Sequence, residues 1–187
     1  MFIVISGVSS CGKNTVMNEL IKRRSDLKVL ERSSGTTREP RESDKDFGTY
    51  VYMTEDEFKR GIEEGKFYEY ELVHNHYYGL FLERLKDVAE DKEFDYMRDV
   101  DVKGNVNLKK FFADKCGMIS IFLDAPDDVL RERLLKRGDK PEDIERRLSR
   151  SELERSYKNN YDLVIENIDL EKTVKTISDF IDEFKTT

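Results

Sequence analysis

The amino-acid sequence predicts a three-layer α/β domain, with helices on both faces of a central parallel sheet. Three observations carry this. Short apolar, β-branched runs recur at residues 2–5, 118–123 and 163–165, and helical patterns stand between them. Those runs are apolar at consecutive rather than alternate positions, as strands covered on both faces are. The first run leads at once into a glycine-bracketed loop, Gly7-Val8-Ser9-Ser10-Cys11-Gly12-Lys13-Asn14, and then a helix. Strand, glycine loop and helix in that order make a phosphate cradle. Glycines let backbone N–H groups turn inward, the helix N-terminus adds partial positive charge, and Lys13 adds a full one.

The elements follow in order. Residues 15–24 read as a helix with Val16 and Leu20 inward, and Val29-Leu30 as a short strand. Residues 33–49 are polar and read as a long irregular stretch, a length that is usually functional. Residues 50–53 are a strand, and Thr54-Glu55-Asp56-Glu57 is a capping box opening a helix that ends near Gly61 to Gly65. Residues 66–78 are aromatic-rich strand. Residues 80–89 are helix, 94–101 strand, 102–112 helix and 118–123 the clearest buried strand. Pro126 opens a helix closed by Gly138, and 141–156 form a second, charge-rich helix. Residues 163–165 are the last strand, and Asp169 caps a final helix.

The chain has 187 residues, enough for one core with an inserted lobe. We expect a single domain over 1–187, with a core of 1–33, 81–125 and 157–187, a lobe at 34–80 and a lid region at 126–156. A net charge of −7 argues against a nucleic-acid coat or a polybasic membrane surface. An acidic protein that binds phosphates must gather its arginines locally. Two cysteines give no disulfide framework, and Cys11 reads as a small loop-filling residue rather than a reactive thiol. Residues 2–5 are too short and lack the basic leader of a signal peptide, and no run is long enough to span a membrane. The expected compartment is cytoplasmic.

Beyond Lys13, four constellations carry chemistry. Arg38 and Arg41, three apart on a proline-stiffened segment, can converge on one phosphate, with Tyr50 and Tyr78 as hydroxyl donors. They can equally pair with Glu39 or Glu42 in a solvated loop. Asp99 and Asp101 stand at a strand's C-terminal end, where open α/β sheets bind ligands, and alternation puts them on one face. They can also be turn acids. Arg133 and Arg137 are neighbours on one helix face, and with Arg147 can close over a phosphoryl group or form an exposed ion-pair face. Glu69, among aromatics, suits the N1–H and amino group of guanine, or is an acid on a strand's wet face.

Together these residues resemble the guanylate kinases, P-loop enzymes that phosphorylate GMP from ATP. The likeness runs from Phe2 to the final helix. Thr36-Thr37-Arg38-x-x-Arg41-x-x-Asp44 with Tyr50-x-Tyr52 looks like the family's signature segment. Phe67-Tyr68-Glu69 with His74-Asn75-x-Tyr77-Tyr78-Gly79 looks like its acceptor lobe. Asp99-Val100-Asp101-x-x-Gly104 is similar to D-I-D-x-Q-G. Leu130-x-x-Arg133-Leu134-x-x-Arg137-Gly138 with Ile144-x-x-Arg147-Leu148 resembles the lid, and Tyr161-Asp162-Leu163-Val164-Ile165-x-Asn167 the closing strand.

The resemblance implies a three-layer P-loop NTPase fold with a central parallel sheet, an inserted small α+β GMP-binding lobe and a helical lid. It implies transfer of the γ-phosphoryl of ATP to GMP, and to dGMP, giving ADP and GDP. The alternatives are a catalytically impaired binding module of the same fold, or a kinase for a different nucleotide or sugar phosphate. Catalysis falls to Lys13, Arg38, Arg133, Arg137 and Arg147. ATP lies on Gly7, Ser9, Ser10, Cys11, Gly12, Lys13, Asn14, Thr15 and Asn167. GMP lies on Ser34, Arg38, Arg41, Tyr50, Glu69, Tyr78, Leu80 and Asp101. Mg²⁺ comes with ATP, near Asn14 and Asp99 and through water. Partners are these small nucleotides, without nucleic acid or membrane, for a monomer or homodimer.

The chain also departs from the family. Asn14 replaces a metal-contacting Ser or Thr, Ser10 a loop glycine, and Leu80 a base-reading hydroxyl residue. Gly48 comes one residue late, Lys103 stands for Gln, and the lid is one residue short between Arg137 and Arg147. Arg98 puts a charge where the strand is ordinarily apolar. A positive φ at Ser10 would be costly.

Overall fold

The computed structural model describes residues 1–40, 47–73 and 75–186. Among the described residues nine strands and seven α-helices run in the order β1 (Phe2–Gly7), α1 (Lys13–Arg23), β2 (Leu27–Val29), β3 (Ser34–Thr36), β4 (Tyr50–Tyr52), α2 (Glu55–Glu63), β5 (Phe67–Val73), β6 (His76–Phe81), α3 (Leu82–Glu90), β7 (Asp95–Asp99), α4 (Val102–Phe112), β8 (Met118–Asp124), α5 (Asp127–Lys136), α6 (Pro141–Arg155), β9 (Leu163–Glu166) and α7 (Leu170–Thr186). Five strands form the core sheet in the order β2-β7-β1-β8-β9. All its pairings are parallel. The predicted three-layer α/β architecture is therefore the one observed.

Alternation along β1 divides the core. Ile3 and Ile5 join Met97, Val16, Leu20, Val174, Ile177 and Ile181 on the face that α1 and α7 cover. Phe2 and Val4 join Leu30, Leu80, Leu85, Leu108 and Phe112 on the other face, under α3 and α4. Both sets are almost wholly removed from water. Burying each such side chain contributes roughly 1.5–3 kcal/mol before chain entropy is subtracted. Among the described residues no helix is long and apolar enough to cross a membrane.

A second sheet, β4-β3-β6-β5, is formed by the stretch of chain between β2 and α3. Its strands β3 and β4 are parallel, and β6 pairs antiparallel with both β3 and β5. Phe67 organises it, stacking on Phe58 at 4.3 Å and on Phe81 at 5.0 Å. Gly79 makes room for this stack, since a Cβ there would lie 2.6 Å from the Phe67 ring. The capping box is present in full: Thr54 accepts from the Glu57 N–H, and Glu57 accepts from the Thr54 N–H at 2.8 Å.

Four expectations need correction. The first helix begins at Lys13 rather than residue 15, because Gly12 in a left-handed conformation (φ 95°) turns the chain into it. The stretch 33–49 is not irregular throughout. It holds β3, in which only Thr36 favours a strand and the segment is held by its partners. Residues 80 and 81 belong to β6 rather than the following helix, since Leu80 pairs with Ser34 and Phe81 with Phe67. Asp101 does not share a strand face with Asp99. The strand stops at Asp99, and Asp101 caps α4, its carboxylate accepting the Gly104 N–H at 2.7 Å.

Candidate nucleotide site

The loop 7–14 leaves the C-terminal end of β1, in the middle of the core sheet, and enters α1. Its strand end is clamped against β8, where the Val8 N–H donates to the Leu123 carbonyl at 3.3 Å. Lys13 folds back over the loop, and its Nζ donates to the Gly7 carbonyl at 2.8 Å and the Val8 carbonyl at 3.3 Å. Asn167, at the end of β9, donates its amide to the Cys11 carbonyl at 2.7 Å. Its own backbone N–H is held by the Asp124 carbonyl at 2.8 Å. Ser9, Ser10, Gly12, Lys13, Asn14 and Thr15 then line a cleft of about 690 Å³ with Arg133, Arg137 and Asn167.

Two residues of the loop acquire a physical meaning. Ser10 sits at φ 65°, in the left-handed region that favours glycine. Ser10→Gly is expected to raise stability by up to about 1 kcal/mol, read as a shift in the urea midpoint. An unchanged or lowered midpoint would show that the serine side chain compensates the strain. Cys11 is buried, and burial pushes its thiol up, against the pull of Lys13. It packs as the small loop-filling residue expected from the sequence.

Two arginines, one from α5 and one from α6, reach this loop. Arg133 donates to the Ser10 and Cys11 carbonyls at 3.4 and 3.2 Å and to the Asn167 carbonyl at 2.7 Å. Arg147 donates to Ser9 Oγ at 3.1 Å. Arg137 lines the same cleft but is engaged by Asp139, which also pairs with Arg147 at 3.1 Å. The Arg137 guanidinium holds the Asp139 carboxyl below its usual range. Glu154 of α6 lies beside the Ser9 N–H, where burial pushes its carboxyl up.

Asp124, at the C-terminal end of β8, supports the floor of this site and was not singled out by sequence. Burial raises its carboxyl, but Arg155 and Lys158 outweigh that and leave it below the ordinary value of 3.8. Its ion pairs are 3.0 and 2.6 Å long. A carboxylate with a depressed folded pKa stabilises above its unfolded value and stops doing so as pH falls through the folded one. Asp124→Asn is therefore expected to lose roughly 2 kcal/mol at pH 7, discounted because its partners are partly exposed. The deficit should shrink progressively below pH 3.8 in urea titrations; a pH-independent deficit would assign the loss to packing instead.

The second set of residues collects on the other sheet. Tyr50, Ser34, Leu80 and Glu69 form one in-register row across β4, β3, β6 and β5. Arg38 is buried, its guanidinium 5.0 Å from the Tyr50 ring, and Tyr78 stands 6.3 Å from Tyr50. Burial pushes the Tyr50 phenol up. Glu69 is held by Asn107 of α4, which donates at 2.6 Å. No sequence pattern marks Asn107, because its role depends on α4 crossing β5. Leu80 keeps its place in the row, but its side chain belongs to the apolar cluster under α3. Arg41 and Asp44 of the signature segment, and His74, lie outside the described residues. Asp99 pairs in register with Ile5, two residues before Gly7. Among the described residues no group of three His, Cys, Asp or Glu side chains could hold a metal.

A family model described as guanylate kinase matches residues 1–184. The chain belongs to the guanylate kinase family. It is 37% identical over 177 residues to a guanylate kinase of Helicobacter pylori, covering 94% of this chain and 83% of that one. It is 36% identical over 179 residues to a guanylate kinase of Caldanaerobacter subterraneus, covering 95% and 84%. The crystal structure of guanylate kinase from Anaplasma phagocytophilum superposes with a TM-score of 0.69 at 26% identity, over 98% of this chain and 85% of that one. Membership makes this chain a nucleotide phosphotransferase by family, with the P-loop sheet as its scaffold.

Proposed function

We propose that this guanylate kinase family member transfers the γ-phosphoryl of ATP to GMP, and to dGMP, giving ADP and GDP. The observation that carries the reading is the placement of Arg133 across the loop carbonyls and Asn167, which brings a lid cation onto the cradle that Lys13 closes. In this reading residues 126–156 are the lid over ATP and 34–80 the lobe for the acceptor, in a cytoplasmic protein. Lys13 and the loop N–H groups hold the ATP phosphates. Arg38, Arg41, Tyr50 and Tyr78 hold the acceptor phosphate, and Glu69 takes the N1–H and amino group of guanine. Asp101 keeps one carboxylate oxygen for the ribose.

No covalent intermediate is needed. Phosphoryl transfer asks the protein for alignment and for positive charge around the moving group, which Lys13, Arg38, Arg133, Arg137 and Arg147 supply. Asn14 and Asp99 would hold Mg²⁺, in part through water, and the ion would supply further positive charge against the phosphates. The amide oxygen of Asn14 and the carboxylate of Asp99 are the hard oxygen donors such an ion takes beside phosphate and water, and they suffice without an all-protein cage. Closure of lid and lobe would keep water from the γ-phosphoryl.

A coupled assay of ADP release with GMP, dGMP, AMP, CMP and UMP tests this. Turnover highest with GMP and dGMP is expected. GMP binding without turnover of any acceptor would establish the second reading, a binding module, which Asn14 at the metal position favours. Preference for another acceptor would reassign the substrate.

A further inference from the structure

Arg98 lies beside the proposed acceptor site and has no part in the reaction as described. It is in register with Val4, so it leaves the core sheet on the face that carries Val4, Leu30, Leu80 and Leu85. A guanidinium placed among such residues loses hydration and must be repaid by partners. One nitrogen has a partner: Nη2 donates to Ser34 Oγ at 2.7 Å. Nε and Nη1 are shut off from solvent and, among the described residues, donate to nothing. Asp99, Glu69 and Asp101 are close enough to favour the charge, but among the described residues none forms an ion pair with it.

The position of Ser34 gives these donors a direction. Ser34 is the second member of the row that ends in Glu69, with Leu80 between them. Two strand spacings, about 9.6 Å, separate the Ser34 and Glu69 backbones, which is one purine with a hydrogen bond at each end. Leu80 contributes no polar atom to that interval. A guanine that gives its N1–H and amino group to Glu69 leaves the adjoining edge, which carries O6 and N7, turned away from Glu69. Those two acceptors on one edge are the pattern that a guanidinium recognises.

We propose that Arg98 is a specificity-determining residue of this chain, reading O6 and N7 of the acceptor base with the donors that Ser34 does not engage. The inference rests on GMP being the acceptor. Adenine would present an amino group where O6 stands, donor against donor, so the same residue that favours guanine disfavours adenine.

The test compares GMP with 7-deaza-GMP, in which carbon replaces N7, as acceptors for the wild type and for Arg98→Met. In the wild type kcat/KM should be about tenfold lower for 7-deaza-GMP, the loss of one hydrogen bond to a charged donor. Arg98→Met should lose about tenfold or more on GMP and treat the two acceptors within about twofold. Equal use of both acceptors by the wild type would overturn the proposal, and this arm needs no variant to fold. Retention of the wild-type preference by Arg98→Met would also overturn it, as a packing role or a contact with the acceptor phosphate predicts an equal loss on both. Failure of the wild type to phosphorylate GMP at all would instead remove the acceptor assignment, and Arg98's role with it.

Discussion

Lys13→Met should lower kcat by about a thousandfold with little change in stability. Lys13 is the cation nearest the loop backbone, fixed there by two carbonyls at 2.8 and 3.3 Å, and so is aligned before any nucleotide arrives. A preorganised charge of this kind acts on the charge that develops in transfer, and its removal typically costs 10²–10³ in rate or more. The methionine stem retains most of the apolar packing of lysine, and the Val8 carbonyl also accepts from the Cys11 N–H at 3.2 Å. The comparison is kcat in the ADP-release assay beside thermal unfolding of the same samples. A kcat within tenfold of wild type would show that Lys13 is a structural brace and that the arginines carry the charge.

Gly7→Ala should cost about 3 kcal/mol or more of stability. A Cβ at this position would lie 2.0 Å from the Leu123 carbonyl oxygen and 3.0 Å from Cys11 Sγ, with the backbone at φ 149°. The obstructing atom is main chain in β8, beside β1 in the sheet, so no rotamer change relieves it. Gly65→Ala is the matched control: its φ is also positive, at 67°, but nothing lies within 4 Å. That control should lose about 1 kcal/mol, the conformational share alone. Urea unfolding of both separates steric from conformational cost. Equal losses in the two variants would mean that β8 yields, and that the clamp between β1 and β8 is soft.

Much of this molecule is legible before it is folded, for reasons that differ by element. The run 2–5 and loop 7–14 announce themselves because strand, turn and helix are adjacent in sequence. Thr54 and Glu57 are equally local, three residues apart and reciprocally bonded. What escapes is whatever depends on a distant partner. Ser34-Gly35-Thr36 is a strand only because β4 and β6 flank it. Asp101 looks like a strand acid until the end of β7 makes it a helix cap. Asn107 and Asp124 support the site through contacts 38 and 31 residues away, and neither belongs to a spaced motif. Arg98 shows the reverse case. It was visible as a charge in an apolar strand, and only the geometry of Ser34 and Leu80 gives that anomaly a direction.

The bond from Asn167 to Cys11 also bears on the order in which the protein comes together. A loop near the front of the chain is braced by a residue 156 positions later. Polypeptides emerge from the ribosome N-terminal end first, and contacts so far apart in sequence form late. β1 and its loop can exist early as a turn, but not as a braced cradle until β9 has docked beside β8. The braced form of the loop is thus acquired only when the last strand docks, after most of the chain has been synthesised.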